Sequence, residues 1–461
     1  MANREYHVPT LPVAEPSTQE ERPPAVPIKK RARPRVHASW YLYTAACWIL
    51  LALGLILLVQ QVVQVSQMPS DFCQDYIAAQ RLAQGTPIYL PLNSPANCPQ
   101  GVGAYDTHPP PSALLVFPLG FLSYPAASLL WGCCLLAAYL ASGILLLRAL
   151  GWFSLRGVAL FVIGSIYWQP LMGAEGDQNL WQFLLLLLVI AWVLERRGAL
   201  AASGYLLGVA WLLKLWPSVL LLGAVTRRRW RQALGAALAI ALGTALTLVV
   251  LGPETYMSYL GPVRAGEDAW AAYNGNVSLV GVVTRFLAGD GFLLPPVLFG
   301  VPLKEAVLLG EAAAGLFALG AAAFVGWCRW QAPNELDELL AEGIFVTITP
   351  LIFPLTWFFS FITLLLPFAT TILALRQMRR PPRWWFGVVA LSLAPLVTPS
   401  VCLTLGDWFL QHQSPGAAWF ATFAFDLPSI GLFGFACAQG YLLWKGARHA
   451  GEPAAKPTNA A

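Results

Sequence analysis

The sequence predicts an all-α polytopic membrane protein, and three observations carry that prediction. Only 11% of its 461 residues are charged and 57% are hydrophobic, whereas about a quarter of a soluble domain is charged. The apolar residues gather into runs that reach or approach the roughly 20 residues a helix needs to cross a bilayer. The loops between runs alternate between Arg/Lys clusters and carboxylates, the asymmetry that orients membrane proteins. Backbone that crosses lipid must satisfy its own hydrogen bonds, so the runs are expected as helices.

Residues 1–38 contain several prolines, no apolar run and the basic group Lys29, Lys30, Arg31, Arg33 and Arg35. They are expected as a disordered cytoplasmic tail, not a signal peptide and not a nucleic-acid-binding segment. A single membrane domain is expected over 39–448 and a second flexible cytoplasmic tail over 449–461. The apolar stretches centre on 42–59, 112–147, 157–172, 180–194, 199–226, 233–251, 306–328, 344–373, 384–402 and 419–444. Two of them, 199–226 and 344–373, are too long for one span and short for two. Each carries an interruption, Lys214 with Pro217 in the first and Pro350 with Pro354 in the second. Both are expected as hairpins of short or broken helices, a form tolerated where backbone lines a protein cavity. The count is then about twelve helical segments, some short or broken.

With the N-terminus inside, Arg148, Arg156, Glu195 to Arg197, Arg227 to Arg231, Arg329, Arg376 to Arg383 and Lys445 to Arg448 all fall on the cytoplasmic side. The opposite side collects Asp71, Asp75, Asp106, Glu175, Asp177, Glu254, Glu267, Asp268, Asp290 and Asp407. Both termini are expected in the cytoplasm and the acidic loops, chiefly 64–110 and 252–305, outside it. Eight cysteines show no metal-ligand spacing. Cys73 and Cys98 share the first outer loop, where a disulfide is permitted, with separate thiols as the alternative. Cys133 and Cys134, inside an apolar run, are expected to pack.

Within the first loop, apolar side chains at 72, 76, 79 and 82 have helical spacing, so 71–84 is expected as an amphipathic helix in the interface plane, ended by Gly85. Asp71 and Asp75 lie one turn apart on its face. Asp71 is nearest the first span and is the candidate general base; the competing role is a helix N-cap without chemistry. Asp75 is the second candidate. The polar stretch 173–179, with Asp177, Gln178 and Asn179, reads either as a solvated turn or as a sugar-binding turn. In 252–305, Tyr273, Asn274 and Asn276 suit a carbohydrate, as does Tyr76 in the first loop, while Arg264 and Arg285 can hold a phosphate. An aromatic belt at the lipid boundary is the alternative for Trp270 and Tyr259.

Lys214 stands alone in the apolar run 211–217, where an ionisable group faces a cavity or a partner, or else snorkels to a headgroup. Next to Pro217 it is a candidate for contacting a lipid-borne phosphate. His108, ahead of three prolines, is a further phosphate or hydroxyl donor, or a residue that merely ends its loop.

Several of these residues recur in order: Asp71-Phe72, Asp75-Tyr76, Ala78-Ala79, Gly85 through Tyr89, Pro109-Pro110, Gly176, Gln178-Asn179, Leu213-Lys214-Leu215, Pro217, Asn274, Ser278-Leu279 and Arg285. Together they resemble the polyprenol-phosphate-mannose-dependent alpha-mannosyltransferases, glycosyltransferase family 87 of the GT-C superfamily, over roughly residues 40–370. The resemblance implies a GT-C-like fold and transfer of a hexose, usually mannose, from a polyprenyl-phosphate donor to a lipid or glycan acceptor outside the cytoplasm. By motif position it assigns the general base to Asp71. The sequence departs from the family in two places. The family's serine-proline turn, tryptophan and histidine pair are replaced by Thr356-Trp357-Phe358-Phe359-Ser360, and its glycine-glutamine-x-asparagine turn by Gly176-Asp177-Gln178-Asn179.

A polyprenyl phosphate leaves readily, so a base and a cationic clamp suffice. Asp71 would take the acceptor's proton, and Lys214, Arg264 or Arg285, with His108, would stabilise the departing phosphate in a single inverting displacement. This scheme asks for no cofactor, and the sequence offers no metal-ligand set. The alternative is a transporter or flippase built on the same broken helices; inverted repeats would favour it, yet 344–373 has no ionisable residue to match Lys214. A purely structural membrane protein would leave the crowding of acids, amides and aromatics on one side unexplained.

Overall fold

Twenty-eight residues without a single charge form helix α1 (Ala38–Val65). The computed structural model describes residues 38–68, 70–89, 96–97, 103–104, 108–289, 297–331, 335–378, 383–412 and 416–450. The two expected tails lie almost wholly outside those residues, as do Cys98, Asp106 and Asp290. The chain divides into two compact units, 1–43 and 44–461; the first is described only from residue 38, and every element after α1 belongs to the second.

The expected amphipathic helix is α2 (Phe72–Ala83), with Phe72, Tyr76 and Ala79 buried along one face. Gly85 follows it at a φ of 66°, a left-handed position that glycine adopts without steric cost. Cys73 is disulfide-bonded. Beyond a short hairpin of Ala96–Asn97 with Gly103–Ala104, the run expected as one apolar stretch from 112 is divided. Helix α3 (Pro110–Val116) gives way to a 3₁₀ turn at Phe117–Phe121, and α4 (Tyr124–Ala149) starts afresh. Pro118 and Pro125 cause the break, because proline cannot continue a helix that precedes it. Cys133 and Cys134 project from α4 with exposed side chains, so they do not pack in the core as expected.

Helices α5 (Leu155–Ile166) and α6 (Gln169–Asp177) meet at 67°. The expected polar turn at 173–179 is therefore mostly helix: α6 runs to Asp177, and only Gln178, at a φ of 51°, turns the chain into α7 (Trp181–Arg196). Pro170 in the first turn of α6 starts that helix, the position where proline is tolerated. Glu175, expected in an outer loop, is instead buried and receives a hydrogen bond from Gln182 at 3.2 Å.

The first interrupted region breaks where expected; in the second, Pro350 continues a helix and the chain breaks only after Ile352, around Pro354. The first splits into α8 (Leu200–Leu213) and α9 (Ser218–Thr226) around Lys214 and Pro217. Arg227, just past α9, donates to Glu195 near the end of α7 at 2.8 Å, so the chain has gone out and returned. Helix α8 packs against α10 (Trp230–Leu251) almost backbone to backbone. A Cβ on Gly204 would meet the Gln232 carbonyl oxygen at 1.8 Å, and one on Gly235 the Ala201 carbonyl oxygen at 2.2 Å. Small residues are what permit such an approach between helices in lipid.

The outer segment contains α11 (Pro253–Trp270) and α12 (Leu279–Ala288), followed by α13 (Leu303–Gln331). The second interrupted region is α14 (Glu335–Ile352), a break, a 3₁₀ turn at Phe358–Leu364 and α15 (Leu365–Gln377). Glu338 in α14 pairs with Arg229 and Arg329, while Arg376 in α15 donates to the Leu150 carbonyl beyond α4. Both ends of this region therefore lie away from its break, as in the first. Helices α16 (Arg383–Val397) and α17 (Pro399–Gln411) form a second bent pair, and α18 (Ala417–Ala450) closes the chain.

Length and apolar content qualify six of these helices as membrane spans, or eight if each bent pair is one span. That is fewer than the twelve apolar segments expected. At 1.5 Å per residue, α8 and α9 reach only about 21 and 14 Å, short of the ~30 Å hydrocarbon thickness. Large apolar side chains such as Leu242, Val249, Leu316 and Leu319 stay exposed on α10 and α13, the surface a lipid-facing helix presents.

Candidate active site

The first charge after α1 takes a position that a capping residue would take, but it does not cap. Asp71 is the N-cap residue of α2 and its side chain makes no capping hydrogen bond. Its carboxylate turns to Asn179, whose Nδ2 donates to Oδ2 at 3.3 Å. The carbonyl oxygen of the same amide accepts from Lys214 Nζ at 3.0 Å and from the Leu180 backbone N–H at 2.7 Å. One buried asparagine thus links the candidate base to the candidate cation. The left-handed turn at Gln178 places it there, and the break at Pro217 leaves Lys214 at the tip of its hairpin.

Four further groups complete the cluster. His108 Nδ1 lies 2.8 Å from Asp75 Oδ1, with both side chains nearly fully buried, and its carbonyl accepts from Tyr89 at 2.7 Å. Asp177 stands within electrostatic reach of Asp71 and Lys214. The Lys214 ammonium sits 4.1 Å above the Trp181 ring, a cation–π contact that a desolvated setting strengthens. Asp71, Asp177 and Lys214 remain partly exposed, whereas Asp75, His108 and Asn179 are buried behind them. The Asp71 carboxyl is held above its ordinary range, chiefly because surrounding protein strips its hydration; His108, Lys214 and the Asn179 hydrogen bond act in the opposite direction.

Other expected site residues are placed elsewhere or are committed to structure. The Gln178 amide accepts from Ser128 at 2.6 Å and donates to the Ser128 carbonyl at 3.1 Å, while its backbone oxygen accepts from Trp131 at 2.8 Å. It secures the turn to α4. The Tyr76 hydroxyl donates to the Leu122 carbonyl at 2.7 Å and its ring packs on Phe72 and Tyr124. Asn276 is fully buried; it donates to the Ala271 and Pro354 carbonyls, each at 2.9 Å, and accepts from the backbone of Ser278 and Thr356. It stitches the outer segment to the second helix break. Arg264 pairs with Glu311 at 3.2 Å.

Arg285, expected to meet phosphate, is fully buried, pairs with Asp426 of α18 and donates to the Tyr273 carbonyl at 2.6 Å. Removing one member of such a pair strands a buried charge at a cost of about 3–5 kcal/mol. Arg285→Met should therefore lower the thermal unfolding midpoint sharply in detergent, and Arg285→Met with Asp426→Leu should recover most of it. A donor KM left unchanged in the double variant would mark the arginine as structural.

The structure also joins distant aromatic residues into one line. Tyr273 and Trp270 meet Trp357 at ring separations of 5.3 and 6.1 Å, Trp357 meets Phe359 at 6.3 Å, and Phe359 meets Trp181 at 6.3 Å. This line of rings joins half-exposed Tyr273 to the face beneath Lys214. In the sequence Tyr273 stood as a carbohydrate candidate, Trp270 as a candidate belt residue and Trp357 to Phe359 as a departure from the family, while nothing singled out Trp181. Asn274, beside Tyr273, is partly exposed. Among the described residues no three His, Cys, Asp or Glu side chains converge as a metal-binding group.

Comparison with known proteins adds a family. The sequence pattern of Glycosyltransferase family 87 matches residues 107–354. A polyprenol-phosphate-mannose-dependent alpha-(1-2)-phosphatidylinositol pentamannoside mannosyltransferase of Mycolicibacterium smegmatis is 23% identical over 316 residues, covering 66% of this chain and 72% of that one. A polyprenol-phosphate-mannose-dependent alpha-(1-2)-phosphatidylinositol mannoside mannosyltransferase of Mycobacterium tuberculosis is 28% identical over 209 residues, covering 42% of this chain and 48% of that one. Among solved structures, ArnT from Cupriavidus metallidurans bound to undecaprenyl phosphate aligns over 88% of this chain and 78% of its own, at 16% identity and a TM-score of 0.35.

Proposed function

This chain belongs to glycosyltransferase family 87, and from that premise we propose that it moves a hexose, mannose by preference, from a polyprenyl-phosphate donor to a hydroxyl of a lipid-linked or cell-envelope glycan. The observation that carries the reading is the uncapped Asp71 carboxylate, joined through Asn179 to Lys214 and partly open to solvent. Both relatives are named for a polyprenol-phosphate-mannose donor, which supports the choice of donor and sugar. The excess of Arg and Lys in the loops at the opposite end of the bundle supports an extracytoplasmic site and cytoplasmic termini.

In this reading the acceptor oxygen attacks the anomeric carbon while Asp71 takes its proton. The bond from that carbon to the phosphate oxygen breaks, and the sugar configuration inverts. Lys214 faces the charge that grows on the leaving phosphate, where the low-dielectric surroundings make it most effective. Asp75 is less suited as base, because its carboxylate is buried and held by His108; the His108–Asp75 pair supports the floor of the site. Asp177, Asn274 and Tyr273 remain candidates for sugar contacts. Separate Asp71→Asn and Asp75→Asn variants, assayed with purified protein and lipid donor, test the assignment: the first should lose far more turnover. Equal losses would remove Asp71 from its role.

The pH dependence comes from the same geometry. Asp71 must be ionised to act, and burial raises its pKa, so kcat/KM should fall as the pH drops through a value above the usual aspartate range. An acidic limb at an unshifted position would contradict a buried base.

A further inference from the structure

One cavity lies far from Asp71. It measures about 680 Å³ and is lined by Leu146, Leu147 and Leu150 of α4 and its end, Leu160 and Phe161 of α5, and Phe368 of α15. That volume falls within the roughly 300–1,000 Å³ of small-ligand sites. Helix α4 begins at Tyr124, whose hydroxyl lies 3.3 Å from the Ser70 hydroxyl next to Asp71, and continues for 26 residues. At 1.5 Å per residue, its far end stands about 39 Å away. The cavity therefore opens at the end of the bundle where the arginine-rich loops gather.

Its rim is cationic. Arg156 lines the cavity and is exposed. Arg376 stacks on the lining residue Trp152 at 4.7 Å and donates to the Leu150 carbonyl. Arg148 lies 4.6 Å from the ring of Phe153, between lining residues Trp152 and Ser154. Among the described residues no carboxylate lines the cavity, and none of the three arginines forms an ion pair. An apolar slot beneath unneutralised guanidiniums complements one kind of molecule, an acyl chain that carries an anionic headgroup.

We infer that this cavity binds an anionic phospholipid of the leaflet opposite the candidate active site, with Arg156 contacting its phosphate. The apolar wall accepts one acyl chain, and Arg148 and Arg376 enclose the headgroup. The assignment is independent of the chemistry at Asp71.

The test uses the full-length protein in mild detergent, mixed with phosphatidylglycerol or phosphatidylcholine and examined by native mass spectrometry. The parent should retain phosphatidylglycerol in preference. Arg156→Gln, at an exposed position without protein hydrogen bonds, should reduce that preference about fivefold, and Arg156→Lys should keep most of it. Leu147→Trp, which fills the slot, should abolish retention of either lipid. Equal retention of both lipids by the parent, or an undiminished preference in Arg156→Gln, would overturn the inference. Displacement of phosphatidylglycerol by an equal concentration of undecaprenyl phosphate would assign the cavity to a polyprenyl carrier and overturn it as well.

Discussion

Asp71→Asn is expected to lower kcat for sugar transfer by about 10²–10⁴-fold, the usual contribution of a positioned general base, while the protein inserts and unfolds as the parent does. The amide keeps the size and polarity of the carboxylate and loses its negative charge and with it the capacity to take a proton. Folding is spared because the Asp71 side chain caps nothing: α2 begins without its hydrogen bond, and the helix is held by Phe72, Tyr76 and Ala79 in the core. The measurement is single-turnover transfer from a purified lipid donor, with the unfolding midpoint recorded alongside. Retained turnover would end the base assignment. Lost turnover accompanied by a lower midpoint would show that the carboxylate holds structure.

Lys214→Met should lower kcat/KM by about 10²–10³-fold, as expected when a preorganised charge facing the leaving group is removed. Methionine preserves the apolar stem, so the contact with Trp181 survives as packing while the ammonium over its ring is lost. A second readout separates catalysis from packing. Lys214 favours the ionised form of Asp71, so its removal should push the acidic limb of the pH profile to higher pH. A drop in rate with an unmoved limb and an unchanged donor affinity would place Lys214 outside the phosphate contact.

The first helix interruption was legible because a lone lysine and a proline stand out in an apolar run; in the second only Pro354 marks the break, since Pro350 lies inside α14. Helix α2 was legible through its period of apolar positions. The number of spans was not, because a 14-residue apolar helix and half of a long one look alike in composition; only the return of Arg227 to Glu195 distinguishes them. Gln178 and Asn179 looked equivalent in sequence. In the folded chain one amide is consumed by Ser128 and the other bridges Asp71 to Lys214. Arg285 and Lys214 were both read as cations for phosphate, yet Arg285 is paired with Asp426, 141 positions along the chain. No local pattern announces a partner at that separation.

What the sequence determined by itself is the solvent and the inventory: helices that belong in lipid, one acidic side, one basic side, and a carboxylate and an ammonium placed at breaks between helices. Those properties come from composition and local period, which each segment carries alone. Which polar groups stay open to a substrate was decided by tertiary structure. A hydrogen bond between distant segments can occupy one amide and leave its neighbour to join two charges, and that choice exists only once the helices have packed.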